Sequence, residues 1–549
     1  MPKYIKNITF IIAFALFSLF LFFGIFTFKD YGISIDEEFH RLSGFYWLEY
    51  VLKTFGFEEF KEVVNLKTGY SGFTVPHPEN HPYYGIVFDL PLALTEVIFE
   101  IKDPRDYFYL RHILNFLIFF ISSIYFFKLI LNRFKNYDLA LIGTLFYVLS
   151  PRIYGHSFFN NKDIIFLSIC SIALYYCFVA IDKSNYKNLI IFAFFSALST
   201  ASRILGIFFP ISFIMLILLD SNQKKIEVIK PLVIFVILYC LFTFLLWPAI
   251  WEDTLNNLVL AFKYFSDAPL GIKTFFNGEY LSVKFLPMHY TLTWIIITTP
   301  VLYLILFLFG YTTKFKRTLL KFFKIEKNSN RNDLWSSISE KKDFFVFFNL
   351  TGFLFYLTFS GVLLYTGWRQ TFFLNIFIIY FAVYGSYLIL IKIKKDKKKF
   401  FYLLISTYLF FIIYQISYYH PYQNTYFNTI GNKIFSNKFE ADYWGLSGKK
   451  ALDEIIKKEG KNKKNIKISV AAWYPLERSS ALLNKNDREK LLFVGQNYQE
   501  SDYLFTNFIS EVDKNYNNKY DIPSNFKKIE SFKLHSYNIY EIYKKGESK

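Results

Sequence analysis

The chain has 549 residues, 53% of them hydrophobic, 22% aromatic and only 19% charged, with a mean hydropathy of +0.26. That composition is too apolar for a soluble protein of this length and places the chain in a bilayer. The 62 Lys+Arg against 44 Asp+Glu give a net charge of +18, which would suggest nucleic acid in a soluble protein; here the cations are read first by their place between apolar runs, and no nucleic-acid partner is required.

A helix crossing the hydrocarbon needs about 20 apolar residues. The first run, 8–28, follows Lys3 and Lys6 and has no small-residue cleavage site after it, so it reads as a retained helix with a cytoplasmic N-terminus. Further runs at 107–131, 139–149, 164–181, 189–200, 204–219, 231–250, 291–309, 344–364, 372–391 and 401–418 bring the expectation to about eleven spans. The basic clusters Arg133/Lys135, Lys183/Lys187, Lys224/Lys225/Lys230, the polar linker 314–342 and the tract 392–399 fall in alternate gaps, which the positive-inside rule makes cytoplasmic. The opposite gaps hold Arg152 and Lys162, Arg203, and Arg369. An odd number of spans then leaves the C-terminal tail outside. The expected architecture is a polytopic α-helical membrane domain, 1–418, followed by a small extracytoplasmic α/β domain, 419–549.

Two outer loops are long, 29–105 and 251–289. Within the first, the apolar stretch 84–101 is interrupted by Asp89, Pro91, Glu96 and Glu100 and reads as an interfacial helix. The tail shows a helical pattern at 449–459, strand-like runs at 466–472 and 491–494, and a final hairpin of 526–532 with 535–543. No internal repeat of 20–50 residues is evident, which weighs against an inverted-repeat transporter. Cys170, Cys177 and Cys240 lie inside apolar runs without metal-ligand spacing and read as small core hydrophobes.

The polar residues between the runs carry what chemistry there is. After the first span comes Ser34-Ile35-Asp36-Glu37-Glu38-Phe39-His40-Arg41. Three successive carboxylates beside His and Arg suit a general base or a cation site; Ser34 with Glu37 three residues on also has the spacing of a capping box. The loop from Ser150 to Asp163 contains Arg152, His156 and Lys162, and its terminal acid is either a helix cap or part of a polar site facing the first loop. Arg203 and Arg369 stand alone on the outer side, as phosphate ligands or as snorkelling or paired structural arginines. In His77-Pro78-Glu79-Asn80-His81-Pro82, two histidines and one acid among prolines make a weak metal signal, and a rigid loop lining the site is the preferred reading. The nucleotide-binding and common hydrolase fingerprints are absent, so nucleotide-driven pumping has no support.

Taken together, Asp36-Glu37-Glu38-Phe39-His40, Asn80-His81-Pro82, Ser150-Pro151 through Asp163, Leu286-Pro287 with Thr299-Pro300, Gly367-Trp368-Arg369, His420-Pro421-Tyr422-Gln423-Asn424 and Asp442-Tyr443-Trp444-Gly445 resemble the integral-membrane glycosyltransferases of the GT-C type. The likeness is nearest to glycosyltransferase family 39, the dolichyl-phosphate-mannose protein mannosyltransferases and bacterial aminoarabinose transferases, and covers residues 1–450. It implies an inverting transfer of a sugar from a polyprenyl-phosphate-linked donor, in the bacterial inner membrane, to a protein, lipid or polysaccharide acceptor on the extracytoplasmic face. It further implies Asp36 as general base, Glu37 supporting it, and Asp163 positioning the acceptor or sharing a divalent cation with Asp36. A departing phosphate asks for positive charge, so Arg152, Lys162, Arg203 and Arg369 become donor-binding candidates, with His156, His81 and Glu38 lining the site. The alternative expectation is a transporter or flippase for a lipid-linked or anionic solute.

Overall fold

The computed structural model describes residues 3–57, 85–182, 185–220, 225–267, 273–323, 334–360, 362–434, 438–460, 465–510, 518–535 and 537–546. The membrane part is helical: α1 (Lys3–Thr27), α2 (Glu37–Thr54), α3 (Asp89–Ile98), α4 (Pro104–Phe134), α5 (Tyr137–Val148), α6 (Pro151–Phe159), α7 (Asp163–Asp182), α8 (Tyr186–Ser202), α9 (Phe208–Leu218), α10 (Lys225–Leu246) and α11 (Thr254–Asp267). After a hairpin of β1 (Lys273–Phe276) and β2 (Glu279–Ser282) come α12 (Tyr290–Thr298), α13 (Val301–Phe323), α14 (Ile338–Phe359), α15 (Leu374–Lys392) and α16 (Lys395–Tyr419). Side-chain caps set several starts. Asp103 accepts from the Arg105 N–H at 2.9 Å ahead of Pro104, and Asn136, Asn185 and Ser337 cap α5, α8 and α14 in the same way.

Among the described residues, six helical segments are long and apolar enough to cross a membrane: Phe10–Asp30, Pro104–Phe134, Asp163–Asp182, Ile229–Leu246, Leu374–Lys392 and Lys395–Tyr419. The expectation of eleven is corrected accordingly, for local reasons. The runs at 139–149 and 204–219 yield helices of only 12 and 11 residues, and the run at 189–200 one of 17. The run at 291–309 breaks at Thr299-Pro300 into α12, of nine residues, and α13, whose second half carries Lys314, Lys316 and Arg317. α14 opens with Glu340, Lys341, Lys342 and Asp343.

Helix ends gather in two polar layers. At one end Asp343 receives Arg133 through Nη2 at 2.5 Å and Nε at 2.6 Å, Lys342 pairs with Asp182 at 2.6 Å, and Lys341 pairs with Asp220 at 2.6 Å. The other end holds the candidate site. Between them α13 and α15 cross closely: a Cβ on Gly310 would sit 2.2 Å from the Phe381 carbonyl oxygen, and one on Gly385 2.2 Å from that of Leu306. Small residues let two backbones approach where the bilayer supplies no hydrophobic drive. Cys170 and Cys177 are buried, but Cys240 is exposed on α10, so only two of the three are core residues.

The stretch at 84–101 forms α3, which packs on α2 through Phe45, Leu48, Ala93 and Val97. Two of its three interrupting acids point inward. Asp89 and Glu96 are fully buried; Arg111 donates to both at 3.1 Å, and Arg41 reaches Glu96 at 2.8 Å. The second long loop is likewise ordered into α11 and the hairpin, whose tip, Asn277 (φ 52°) and Gly278 (φ 91°), has the positive-φ pair of a two-residue turn.

The tail is a small domain with one mixed five-stranded sheet. α17 (Ser447–Glu459) precedes β3 (Ile466–Val470), β4 (Leu491–Phe493), β5 (Tyr503–Thr506), β6 (Phe526–Leu534) and β7 (Tyr537–Lys545), in the order β4-β3-β5-β7-β6. β3 runs parallel to β4 and β5, and β7 antiparallel to β5 and β6. The helix and hairpin patterns read from sequence correspond to α17 and β6–β7. Strand β5 was not foreseen: its four residues are all buried and lack the alternation that marks a half-exposed strand.

Candidate active site

The three successive carboxylates of the first outer loop go to three different places, as consecutive residues on a helix must. Glu37, the first residue of α2, is buried; its Oε2 accepts from the Ser34 N–H at 2.5 Å, and its Oε1 lies 2.9 Å from His112 Nε2 on α4. Its geometry is that of a cap holding the loop. Glu38 points to Arg478 of the tail, 2.8 Å from Nε. Asp36 turns inward, with Oδ2 2.6 Å from Arg369 Nη1.

The tail domain fixes this loop from the other side. The Ile35 N–H donates to the Trp444 carbonyl at 3.1 Å, Arg478 Nη1 to the Ile35 carbonyl at 2.7 Å, and the Tyr474 hydroxyl to the Ile33 carbonyl at 3.2 Å. Asp36 is therefore held between α2 and the C-terminal domain.

The second loop is largely helix. Pro151 at its first position starts α6, Asn160 ends it, and Asp163 starts α7. Asp163 accepts from Asn160 Nδ2 at 2.9 Å and pairs through its other oxygen with Arg203 Nη2. Arg203 stands in extended backbone (φ −148°) between α8 and the following turn, with Nε lacking a partner among the described residues. The Lys162 ammonium sits 2.6 Å from Asp89 Oδ2 and donates to the Gly85 carbonyl. Burial lowers its pKa.

Arg369 follows a turn in which Thr366 (φ 55°) and Gly367 (φ 79°) are both left-handed. Its guanidinium lies between Tyr365 and Trp444, 4.7 and 4.6 Å from the ring centroids, and is also in the field of Asp163. Arg152 is buried beneath Trp294 and Phe427 (5.0 and 4.8 Å), donates through Nε to the Tyr426 carbonyl at 2.8 Å, and leaves Nη2 without a partner among the described residues. Burial brings it down to about 10, still a cation at neutral pH. The His156 ring packs edge-on to Phe372 and Trp444 (4.8 and 5.3 Å); burial, then the charges of Arg152 and Arg369, hold it well below the usual imidazole range and so neutral.

Thus Asp36 pairs with Arg369 and Asp163 with Arg203, Asp163 also acts electrostatically on Arg369, and His156 shares the Trp444 ring with Arg369. His40, one turn after Asp36, stands among them: burial and the fields of Lys162, Arg369, Arg203 and Arg111 lower its pKa, leaving a neutral imidazole. The sequence marks it as the histidine that follows the three carboxylates. Glu440 had no motif at all. It accepts from the Phe275 N–H at 2.9 Å and Thr274 Oγ1 at 3.2 Å, and burial raises it to about 7 against the opposing pull of Arg369 and Arg152. His81 lies outside the described residues. Among the described residues no three His, Cys, Asp or Glu groups converge as a metal shell; Asp36 and Asp163 each face an arginine, a donor set that does not fit a shared divalent cation.

A family model described as dolichyl-phosphate-mannose-protein mannosyltransferase matches residues 106–247, the portion that contains Arg152, His156, Asp163 and Arg203. No curated protein matches the chain. Among solved structures, the Archaeoglobus fulgidus oligosaccharyltransferase AglB in complex with an inhibitory peptide and a dolichol-phosphate is 13% identical with a TM-score of 0.46, over 88% of this chain and 67% of that one. An oligosaccharyltransferase from the same organism in the apo form is 12% identical with a TM-score of 0.42, over 86% of this chain, which spans 61% of that chain's length.

Proposed function

We propose that this chain is a GT-C-type glycosyltransferase that moves a sugar from a polyprenyl-phosphate-linked donor to an acceptor. The observation that carries the reading is the two acid–arginine pairs, Asp36–Arg369 and Asp163–Arg203, with Asp163 at the start of the spanning helix α7. A bilayer-borne donor would bring its phosphate to that level. The match of residues 106–247 to a mannosyltransferase family model supports the same chemistry.

Transfer proceeds by a single displacement with inversion. An acceptor hydroxyl oxygen bonds to the anomeric carbon as the bond from that carbon to the phosphate oxygen breaks, and the hydroxyl proton passes to Asp36. Polyprenyl phosphate leaves with its electron pair and needs no proton donor, because its conjugate acid is already strong; Arg203 and Arg369 meet the developing charge. Asp163 orients Arg203, and neutral His40 and His156 keep further positive charge out of the centre. No step runs through a metal.

The opposite polar layer contains Arg133, Lys341 and Lys342, so the positive-inside rule puts that layer in the cytoplasm and the site, with domain 419–549, outside. The test is release of polyprenyl phosphate from polyprenyl-phosphate hexoses and pentoses by the protein in proteoliposomes, with host cell-envelope extract as acceptor. Loss of release in both Asp36→Asn and Asp163→Asn is expected. Full release in both would sink the assignment.

A further inference from the structure

We propose that the cleft between the β1–β2 hairpin and the C-terminal domain is a binding site for a neutral saccharide acceptor, with Glu440 Oε2 accepting a hydrogen bond from one of its hydroxyls; the word acceptor rests on the transfer reading above. The cleft has a volume of about 650 Å³, within the range of small-molecule sites. Phe275, Tyr280 and Tyr537 give its wall aromatic surface, while Asn507, Asn538 and Glu440 add amides and a carboxylate. Flat apolar faces with hydrogen-bonding groups set among them suit a sugar ring, which is apolar on its faces and hydroxylated around its rim. Glu279 and Glu440 on the same wall disfavour an anionic ligand.

Glu440 has one satisfied oxygen and one that is not. Oε1 takes the Phe275 N–H and the Thr274 hydroxyl, whereas Oε2 is shut off from solvent without a partner among the described residues. A buried acceptor left unmade is unfavourable, so it marks a place where a ligand hydroxyl fits. The wall is also built under strain. Phe508 holds φ 64°, a region that bulky side chains rarely occupy, while its N–H donates to Thr506 Oγ1 at 3.1 Å. The opposite wall is pinned by the Gly278 N–H to the Lys438 carbonyl at 2.9 Å and by the Phe276–Phe439 bridge. The site adjoins the arginines: Phe439, next to Glu440, packs edge-on against Trp294 at 4.9 Å between centroids, the ring over which Arg152 sits.

The experiment is saturation-transfer NMR on the full chain in nanodiscs, without donor. The probes are methyl α-mannoside, methyl β-glucoside, methyl β-galactoside and methyl N-acetyl-β-glucosaminide. Transfer to at least one of them is expected, with affinity about tenfold weaker in Glu440→Ala when measured above pH 7, where the carboxyl is ionised, the scale of one hydrogen bond to an ionised group. Glu440→Gln, which preserves shape, should fall between the two. No transfer to any glycoside, or equal affinity in the wild type and both Glu440 variants, overturns the site. Glycoside binding without donor turnover in the wild type would leave this site standing and remove the transfer reading; turnover without glycoside binding would do the reverse.

Discussion

Replacing Arg369 with lysine separates charge from geometry. Arg369 gives Nη1 to Asp36 at 2.6 Å and lies between Tyr365 and Trp444, at 4.7 and 4.6 Å from their centroids. Lysine keeps one positive charge near Asp36, so the acid is not orphaned, but it loses the planar fork and the broad face that packs on both rings. A missing donor to charge that develops in the transition state lowers kcat by about 10²–10³. The lost ring contacts, about 0.5–2 kcal/mol each, act instead on stability and should appear as a lower melting temperature. Steady-state release of polyprenyl phosphate in proteoliposomes reads the first effect and a thermal melt in detergent the second. A folded Arg369→Lys protein with kcat within about threefold of wild type would show that this guanidinium does not meet the leaving phosphate.

Glu96→Gln removes the charge that Arg41 and Arg111 share in a fully buried network, and should destabilise the protein by about 3–5 kcal/mol; a melting temperature equal to wild type would contradict that accounting. Arg478→Ala removes the tail's donor to the Ile35 carbonyl and its pair with Glu38. Its kcat should fall about tenfold with KM unchanged, the effect of roughly 1.4 kcal/mol of misplacement at Asp36, and a change in KM alone would refute the positioning role. Glu440 is raised from 4.5 to about 7 by burial, so its contribution to stability is fully present below the unfolded value and is lost as pH rises through the folded one. The melting temperature of the wild type relative to Glu440→Gln should therefore decline from pH 4.5 to pH 7; a rise over that window would reverse the sign and dismiss the burial argument.

What could be read from the sequence follows from which interactions are local. Long apolar runs and the α17 and β6–β7 patterns are set by neighbours in sequence, and they were legible. The breaks were harder, because hydropathy alone does not register that Thr299-Pro300 splits one run in two or that Lys341, Lys342 and Asp343 open α14 as one polar layer. In the site, Asp36, Asp163, Arg203 and Arg369 stood out as polar residues at span ends. Lys162 looked equivalent to the arginines, and only tertiary structure reveals that Asp89, 73 residues earlier in the chain, already neutralises it. Glu440 was invisible for the same reason: its character comes from Thr274, Phe275 and two distant arginines.

The pairing of each arginine with an acid bears on how the proposed reaction is ordered. With Asp36 on Arg369 and Asp163 on Arg203, the resting cluster balances its charges, which makes four partly buried ionised groups tolerable. A phosphodiester donor presents oxygens that compete for the same guanidinium donors, and each arginine also has an Nε with no partner among the described residues. As the phosphate draws Arg369, Asp36 loses hydrogen bonding to its oxygen and becomes a better proton acceptor, since hydrogen bonds to a carboxylate favour its ionised form. Donor binding thereby prepares the base, and a site without donor has less tendency to deprotonate an acceptor. The loop that carries Asp36 is held by Trp444, Tyr474 and Arg478, so the C-terminal domain sets how far that carboxylate can follow the arginine. A rigid loop lets the pair separate as the guanidinium moves, whereas a loose one would let the acid travel with it and stay masked.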